Sequence, residues 1–96
     1  MRVVIRTSAA LRDIAEAYAY LALHDRRAAA SLAAQIDATV RRLARNPELG
    51  FLRDDLSSPI FAKLVGHDVI YYQYDEDQVV IVRILHGARD AEGQLP

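Results

Sequence analysis

The stretch Val79-Val80-Ile81-Val82-Arg83-Ile84-Leu85, running on into His86-Gly87-Ala88-Arg89-Asp90, decides how this chain is read. A continuous apolar run so rich in β-branched residues specifies a buried strand. Its one cation, Arg83, is costly to bury without a partner. The strand end therefore gathers four polar or charged groups, Arg83, His86, Arg89 and Asp90, on one rigid support.

Working backward from that strand, Asp75-Glu76-Asp77 marks a turn, and Val69 to Tyr74 reads as a second β run. Gly66-His67-Asp68 marks another turn, and Ile60 to Val65 reads as a third run. Clusters of Gly and Asp between β-branched runs are hairpin punctuation, so the C-terminal half is an antiparallel meander. Alternation puts Ile70, Tyr72 and Tyr74 on one face of it, with Val80, Val82 and Ile84 on the same face of the final strand. Arg83 then projects from the other face with Val79, Ile81 and Leu85. That second face is too apolar to be left in water, which marks it as a place where something binds.

The first half is helical. Leu11, Ile14, Ala15, Tyr18, Leu21 and Ala22 follow the spacing of an amphipathic helix, with Ser8 as its N-cap. Ala29, Leu32, Ala33, Ile36, Val40, Leu43 and Ala44 give a second helix over residues 26–45, which Asn46-Pro47 stops. A connection of a residue or two makes the pair an antiparallel hairpin. Residues 2–6 form a strand ahead of it, and residues 47–59 read as loop. The order is β-α-α-β-β-β, an α+β fold with the helical hairpin packed on a small, mainly antiparallel sheet. Residues 1–90 make one domain, and 91–96 form a flexible C-terminal tail.

A chain of 96 residues hides roughly 65% of its unfolded surface, enough to stand alone with little stability to spare. It has no cysteine, which excludes disulfides and thiolate metal sites. No apolar run reaches the ~20 residues of a membrane helix, and the N-terminus is too short and charged for a signal peptide. A cytoplasmic location is the expectation. The net charge of −1 argues against binding nucleic acid by bulk charge. Eleven of the twelve basic residues are arginine, a skew consistent either with carboxylate or phosphate recognition or with genomic base composition.

Each candidate side chain carries two readings. Arg83 either pairs with an acid from the long loop, Asp54 or Asp55, or meets an anion or partner on the open face. His86 is either a structural strand-end histidine or a general base in need of a partner acid. Arg89 and Asp90 can pair with each other. Arg53, Asp54 and Asp55 can be a solvated charge cluster. Tyr71, Tyr72 and Tyr74 fit the core better than a base-stacking platform. His24, His67 and His86 lack metal-ligand spacing, so neither a metal nor a cofactor is expected. Phosphate-cradling glycine loops and serine elbows are absent.

Arg83-Ile84-Leu85-His86-Gly87-Ala88-Arg89-Asp90 resembles the C-terminal motif of the ParE branch of the RelE/ParE toxin superfamily. Arg6-Thr7-Ser8-Ala9 with Leu11, Asp13 and Ile14 resembles the family's opening. The alanine-rich second helix ending in Leu43, Asn46 and Pro47 fits, as do Glu48-Leu49-Gly50 with Arg53-Asp54-Asp55-Leu56 and the Tyr71-Tyr72 pair. The resemblance implies a RelE/ParE-like fold and a small toxin of a type II toxin–antitoxin pair. Its activity would be inhibition of DNA gyrase, and a cognate antitoxin, a ParD-like ribbon-helix-helix protein, would neutralise it.

RelE-type relatives instead cut messenger RNA on the ribosome, and an attenuated, non-toxic antitoxin-binding homologue is a third possibility. Lys63 as the only lysine, and no tyrosine after Tyr74, favour the gyrase reading. A protein inhibitor of this kind would have no catalytic residues and no sequence-specific nucleic-acid binding of its own. Its target contacts would be Arg53, Arg83, His86 and Arg89. A ribonuclease would use Arg53, Arg83 and His86. The antitoxin would meet Leu11, Tyr18, Leu32 and Ile36 on the helical hairpin, with acidic groups against Arg41, Arg42 and Arg45.

Overall fold

The computed structural model describes residues 1–56, 58–87 and 91–95. Strand β1 (Val3–Arg6) leads into helices α1 (Ser8–Ala22) and α2 (Arg26–Arg45), then a 3₁₀ turn (Pro47–Leu49). Strands β2 (Phe51–Arg53), β3 (Ile60–Val65), β4 (Asp68–Tyr74) and β5 (Gln78–His86) follow, and a helical turn, α3 (Ala91–Gln94), comes last. The five strands form one sheet in the order β1-β5-β4-β3-β2. β1 runs parallel to β5, and the other pairings are antiparallel. The helical hairpin packs on one face, so the expected α+β architecture is the observed one, with α2 and β3 at the expected residues. No helix among the described residues is long and apolar enough to cross a membrane.

The helix-side core joins Ile36, Val40 and Leu43 of α2 and Ala10 of α1 to Ile70, Tyr72, Val79, Ile81 and Ile84 of the sheet. Two expectations about this core are corrected. First, β5 does not keep one parity. Its pairing with β4 slips between Tyr71↔Arg83 and Tyr72↔Ile81, which leaves Val82 as an extra residue in a bulge. A bulge re-aims the strand. Val79 and Ile81 therefore face the helices before it and Ile84 faces them after it, whereas simple alternation put Val79 and Ile81 on the far side. Second, the inward side of α1 is Ala10, Ile14, Ala17 and Leu21, while Leu11, Ala15 and Tyr18 are exposed. The stripe is rotated because a polar residue, Asp13, also turns inward.

The far face of the meander is not left open. Ile60, Ala62, Val69, Tyr71 and Leu85 form a second buried cluster there, and Leu56 and Leu95 pack against it. The chain thus covers with its own loop and C-terminal segment a surface that the sequence marked as a binding face. The N-cap of α1 is Thr7 rather than Ser8. Its hydroxyl accepts from Ala10 N at 3.0 Å and donates to Val82 O at 2.7 Å, joining helix start to bulge. Asp25 caps α2 through Arg27 N and Ala28 N.

The segment read as loop contains β2, three residues too short to carry a periodicity. It is positioned by Tyr72, whose hydroxyl donates to Pro47 O at 2.6 Å and accepts from Gly50 N at 2.9 Å. Gly50 lies so close to the sheet that a Cβ would press on that hydroxyl and stand 2.7 Å from Ala62 O. Only glycine lets the chain pass there.

Candidate functional site

The site is built where β5 runs on past the end of β1. β1 pairs with β5 only as far as Arg6↔Ile81, and α1 then runs along the freed edge. An open strand edge leaves backbone donors unsatisfied. The Asp13 carboxylate takes the place of the missing strand: it accepts from Ile84 N at 2.9 Å. It also accepts from Arg83 Nε and Nη2, both at 2.8 Å, so the ion pair is bidentate. Both side chains are largely buried, at 21% and 10% exposure for Arg83 and Asp13. A planar fork against a carboxylate that also accepts from the backbone is a well-satisfied arrangement for charges with little water around them. The hydrogen bond to Asp13 holds the Arg83 guanidinium above its ordinary range, so it stays charged.

Arg83 has little left to offer a partner. Its Nη1 donates to Gln94 O at 3.3 Å and its Nη2 to Gln94 Oε1 at 3.2 Å. A guanidinium has five N–H groups; four are used within the chain. The partner expected from the sequence, Asp54 or Asp55, is not the one found. Asp55 is taken by Arg53, through Nε at 2.8 Å and Nη2 at 2.9 Å.

His86 stands opposite Asp68 in the β4–β5 ladder, with Nδ1 3.4 Å from Asp68 Oδ1. Gly87, at φ 71°, donates its N–H to His67 O at 2.7 Å, which ties the β3–β4 turn to the end of β5. The His67 and His86 rings come to 6.2 Å. These groups line a groove of about 760 Å³ between the helical hairpin and the strand ends. Its walls are apolar where Ala17, Leu21, Ala28, Leu32, Val65 and Leu85 meet, and Asp13, Glu16, Asp68 and Arg83 supply the charge.

Of the four expected target contacts, the structure brings Arg83 and His86 to this groove. Arg53 lies on edge strand β2, with β3 and β4 between it and β5, beside the buried Tyr71 hydroxyl, which has no hydrogen-bond partner among the described residues. Arg89 lies outside the described residues. The three residues expected of a ribonuclease, Arg53, Arg83 and His86, thus lie on two strands, β2 and β5, with β3 and β4 between them.

On the hairpin, Leu11 and Tyr18 are exposed and Leu32 lines the groove. Ile36 is corrected: at 3% exposure it belongs to the core and has no surface for a partner. Arg41, Arg42 and Arg45 are exposed, with Arg41 3.1 Å from Asp37. The sequence reading did not single out Asp68, Glu16 or Gln94 as site residues, and met Asp13 only within the resemblance. The expected stripe of α1 left Asp13 on the polar side of the helix, so the helix pattern gave no signal for it.

A family model described as the ParE toxin of the type II toxin–antitoxin system parDE matches residues 4–91. No curated protein matches the chain. Among solved structures, the chromosomal ParDE toxin–antitoxin system from P. aeruginosa is similar at a TM-score of 0.76 and 15% identity, covering 91% of this chain and 97% of that one. The RelBE2 toxin–antitoxin complex from Mycobacterium tuberculosis is similar at a TM-score of 0.60 and 23% identity, covering 88% and 96%. At these identities the two structures speak for the fold, which they share with this chain.

Proposed function

This chain belongs to the ParE toxin family of type II toxin–antitoxin systems, and from that premise we propose that it is a cytoplasmic toxin that inhibits DNA gyrase by protein–protein contact. It would carry out no chemistry of its own, and a cognate antitoxin of the ParD-like ribbon-helix-helix kind would hold it inactive. The match over residues 4–91 carries the reading.

The geometry supports the inhibitor over the nuclease. Phosphodiester cleavage needs an acid or base and a free cation converging on one phosphate. Here Arg53 is across the sheet and paired with Asp55. Arg83 is paired with Asp13, and His86 opens onto a groove that also holds Glu16 and Asp68. Carboxylates at that position repel a phosphate backbone.

The test is to add purified protein to gyrase supercoiling and DNA-cleavage assays and, separately, to translating ribosomes on a defined messenger. Gyrase-linked DNA breaks are the expected outcome. Codon-positioned RNA cuts with gyrase unaffected would establish the ribonuclease in its place. Inactivity in both, with antitoxin binding retained, would make this an attenuated homologue.

A further inference from the structure

We infer that the groove between the helical hairpin and the ends of β4 and β5 receives a segment of the antitoxin that carries a lysine or arginine among apolar side chains. The cation would be directed at Asp68 and Glu16. This rests on the toxin–antitoxin reading for the identity of the partner, and on the groove alone for its chemistry.

The apolar wall requires an apolar occupant, and about 760 Å³ is room for several side chains. Tyr20 at the rim is 69% exposed, an amphipathic surface that a partner would cover. The charge of the occupant follows from the lining. Three carboxylates, Asp13, Glu16 and Asp68, and one guanidinium, Arg83, face the groove from α1, β4 and β5, whereas α2 contributes only Ser31 and Gln35 as polar groups. Asp13 and Arg83 neutralise each other in their bidentate pair. Glu16 and Asp68 remain, with the imidazoles of His67 and His86 beside them, so the balance of carboxylates and guanidinium in the groove is acidic among the described residues.

Asp68 matters most. It is only 9% exposed, and the one described group within ion-pairing reach is His86 at 3.4 Å, charged only when protonated. A carboxylate this far from water gains strongly from a permanent cation. A lysine or arginine delivers its charge there while its methylene stem lies on apolar groups such as Ala17 and Leu21. An acidic segment or a nucleic-acid backbone would instead be repelled. The opposite complementarity holds at the C-terminal end of α2, where Arg41, Arg42 and Arg45 suit acidic side chains. The partner's charge pattern is thus read in two places with opposite signs.

The experiment uses the full chain, ¹⁵N-labelled, titrated with the blocked peptide Ala-Leu-Lys-Leu-Ala and its counterparts with glutamate or glutamine at the centre. The lysine peptide should shift the amides of Ala17, Leu21, Asp68 and His86 and bind at least five-fold more tightly than the glutamate peptide. Asp68→Asn should abolish the preference. Glu16→Gln, an exposed helix position, should halve it or more and guards against a folding defect in the first variant.

Equal binding of the three peptides, preference for glutamate, shifts that map elsewhere, no binding at all, or a preference that survives both variants would each overturn the inference. Neither gyrase nor antitoxin enters this titration. A protein that ignores gyrase yet discriminates between the peptides removes the proposed function and keeps the groove. A gyrase inhibitor that does not discriminate does the reverse.

Discussion

Two guanidinium–carboxylate pairs in this molecule have nearly the same geometry and different meanings. Arg53 and Asp55 meet at 2.8 and 2.9 Å, two residues apart, with Asp55 half in water. Arg83 and Asp13 meet at 2.8 Å twice, seventy residues apart, and both are largely buried. The first fixes a loop to itself. The second joins helix α1, strand β5 and, through Gln94, the C-terminal segment. Distance along the chain and removal from water, rather than bond length, decide how much a pair contributes.

The largest test of that contrast is Asp13→Ala. It leaves Arg83 without its carboxylate and Ile84 N–H without its acceptor, and should cost about 3 kcal/mol in urea unfolding. A loss no larger than that of Arg53→Ala would erase the distinction. Combining Asp13→Leu with Arg83→Met should cost less than Asp13→Ala alone, because neither charge is then left unpaired. Additive losses would mean that the two side chains act independently.

A neutral long-range tie sharpens the comparison. Tyr72→Phe removes the bonds to Pro47 and Gly50 and should cost about 1–2 kcal/mol. Burial also pushes the Tyr72 hydroxyl above its ordinary value of 10.0. The folded state then holds this proton more tightly than the unfolded chain. The associated stability is complete below pH 10 and is lost as pH rises through the raised value. The wild-type thermal midpoint should therefore fall above pH 10, and less so in Tyr72→Phe. Smallest of all, Arg53→Ala should leave the midpoint unchanged within error while lowering gyrase inhibition several-fold. Inhibition equal to wild type would remove Arg53 from the target surface.

The architecture was legible because its signals are periodic and local. The α2 stripe and the β3 run carry their own boundaries, and Asp and Gly clusters punctuate the meander. The misreadings share one physical origin, a contact made at long range. The bulge at Val82 reverses the parity of β5, and nothing in an unbroken apolar run announces it. Asp13 is drawn inward by Arg83 and Ile84, which rotates α1 relative to its most apolar stripe. Tyr72 fixes the Pro47–Gly50 corner and thereby positions β2. At the site, the sequence placed Arg83 and His86 together because one strand carries both. It could not place Arg53, because strand order is set by pairing rather than by position in the chain. Asp68, beside a turn glycine and a histidine, read as punctuation.

The parallel pairing of β1 with β5 has a consequence for how the molecule is made. The strand synthesised first finds its neighbour only after the chain has passed residue 81, and Thr7 must wait for Val82, 75 residues downstream, before its hydroxyl is satisfied. Closing such a loop is slow compared with forming the helical hairpin beside it. A nascent chain with helices but no β5 has neither the groove nor the Asp13–Arg83 joint. The same topology that gives the site its rigidity delays its appearance, so the groove exists only after nearly all of these residues have been made.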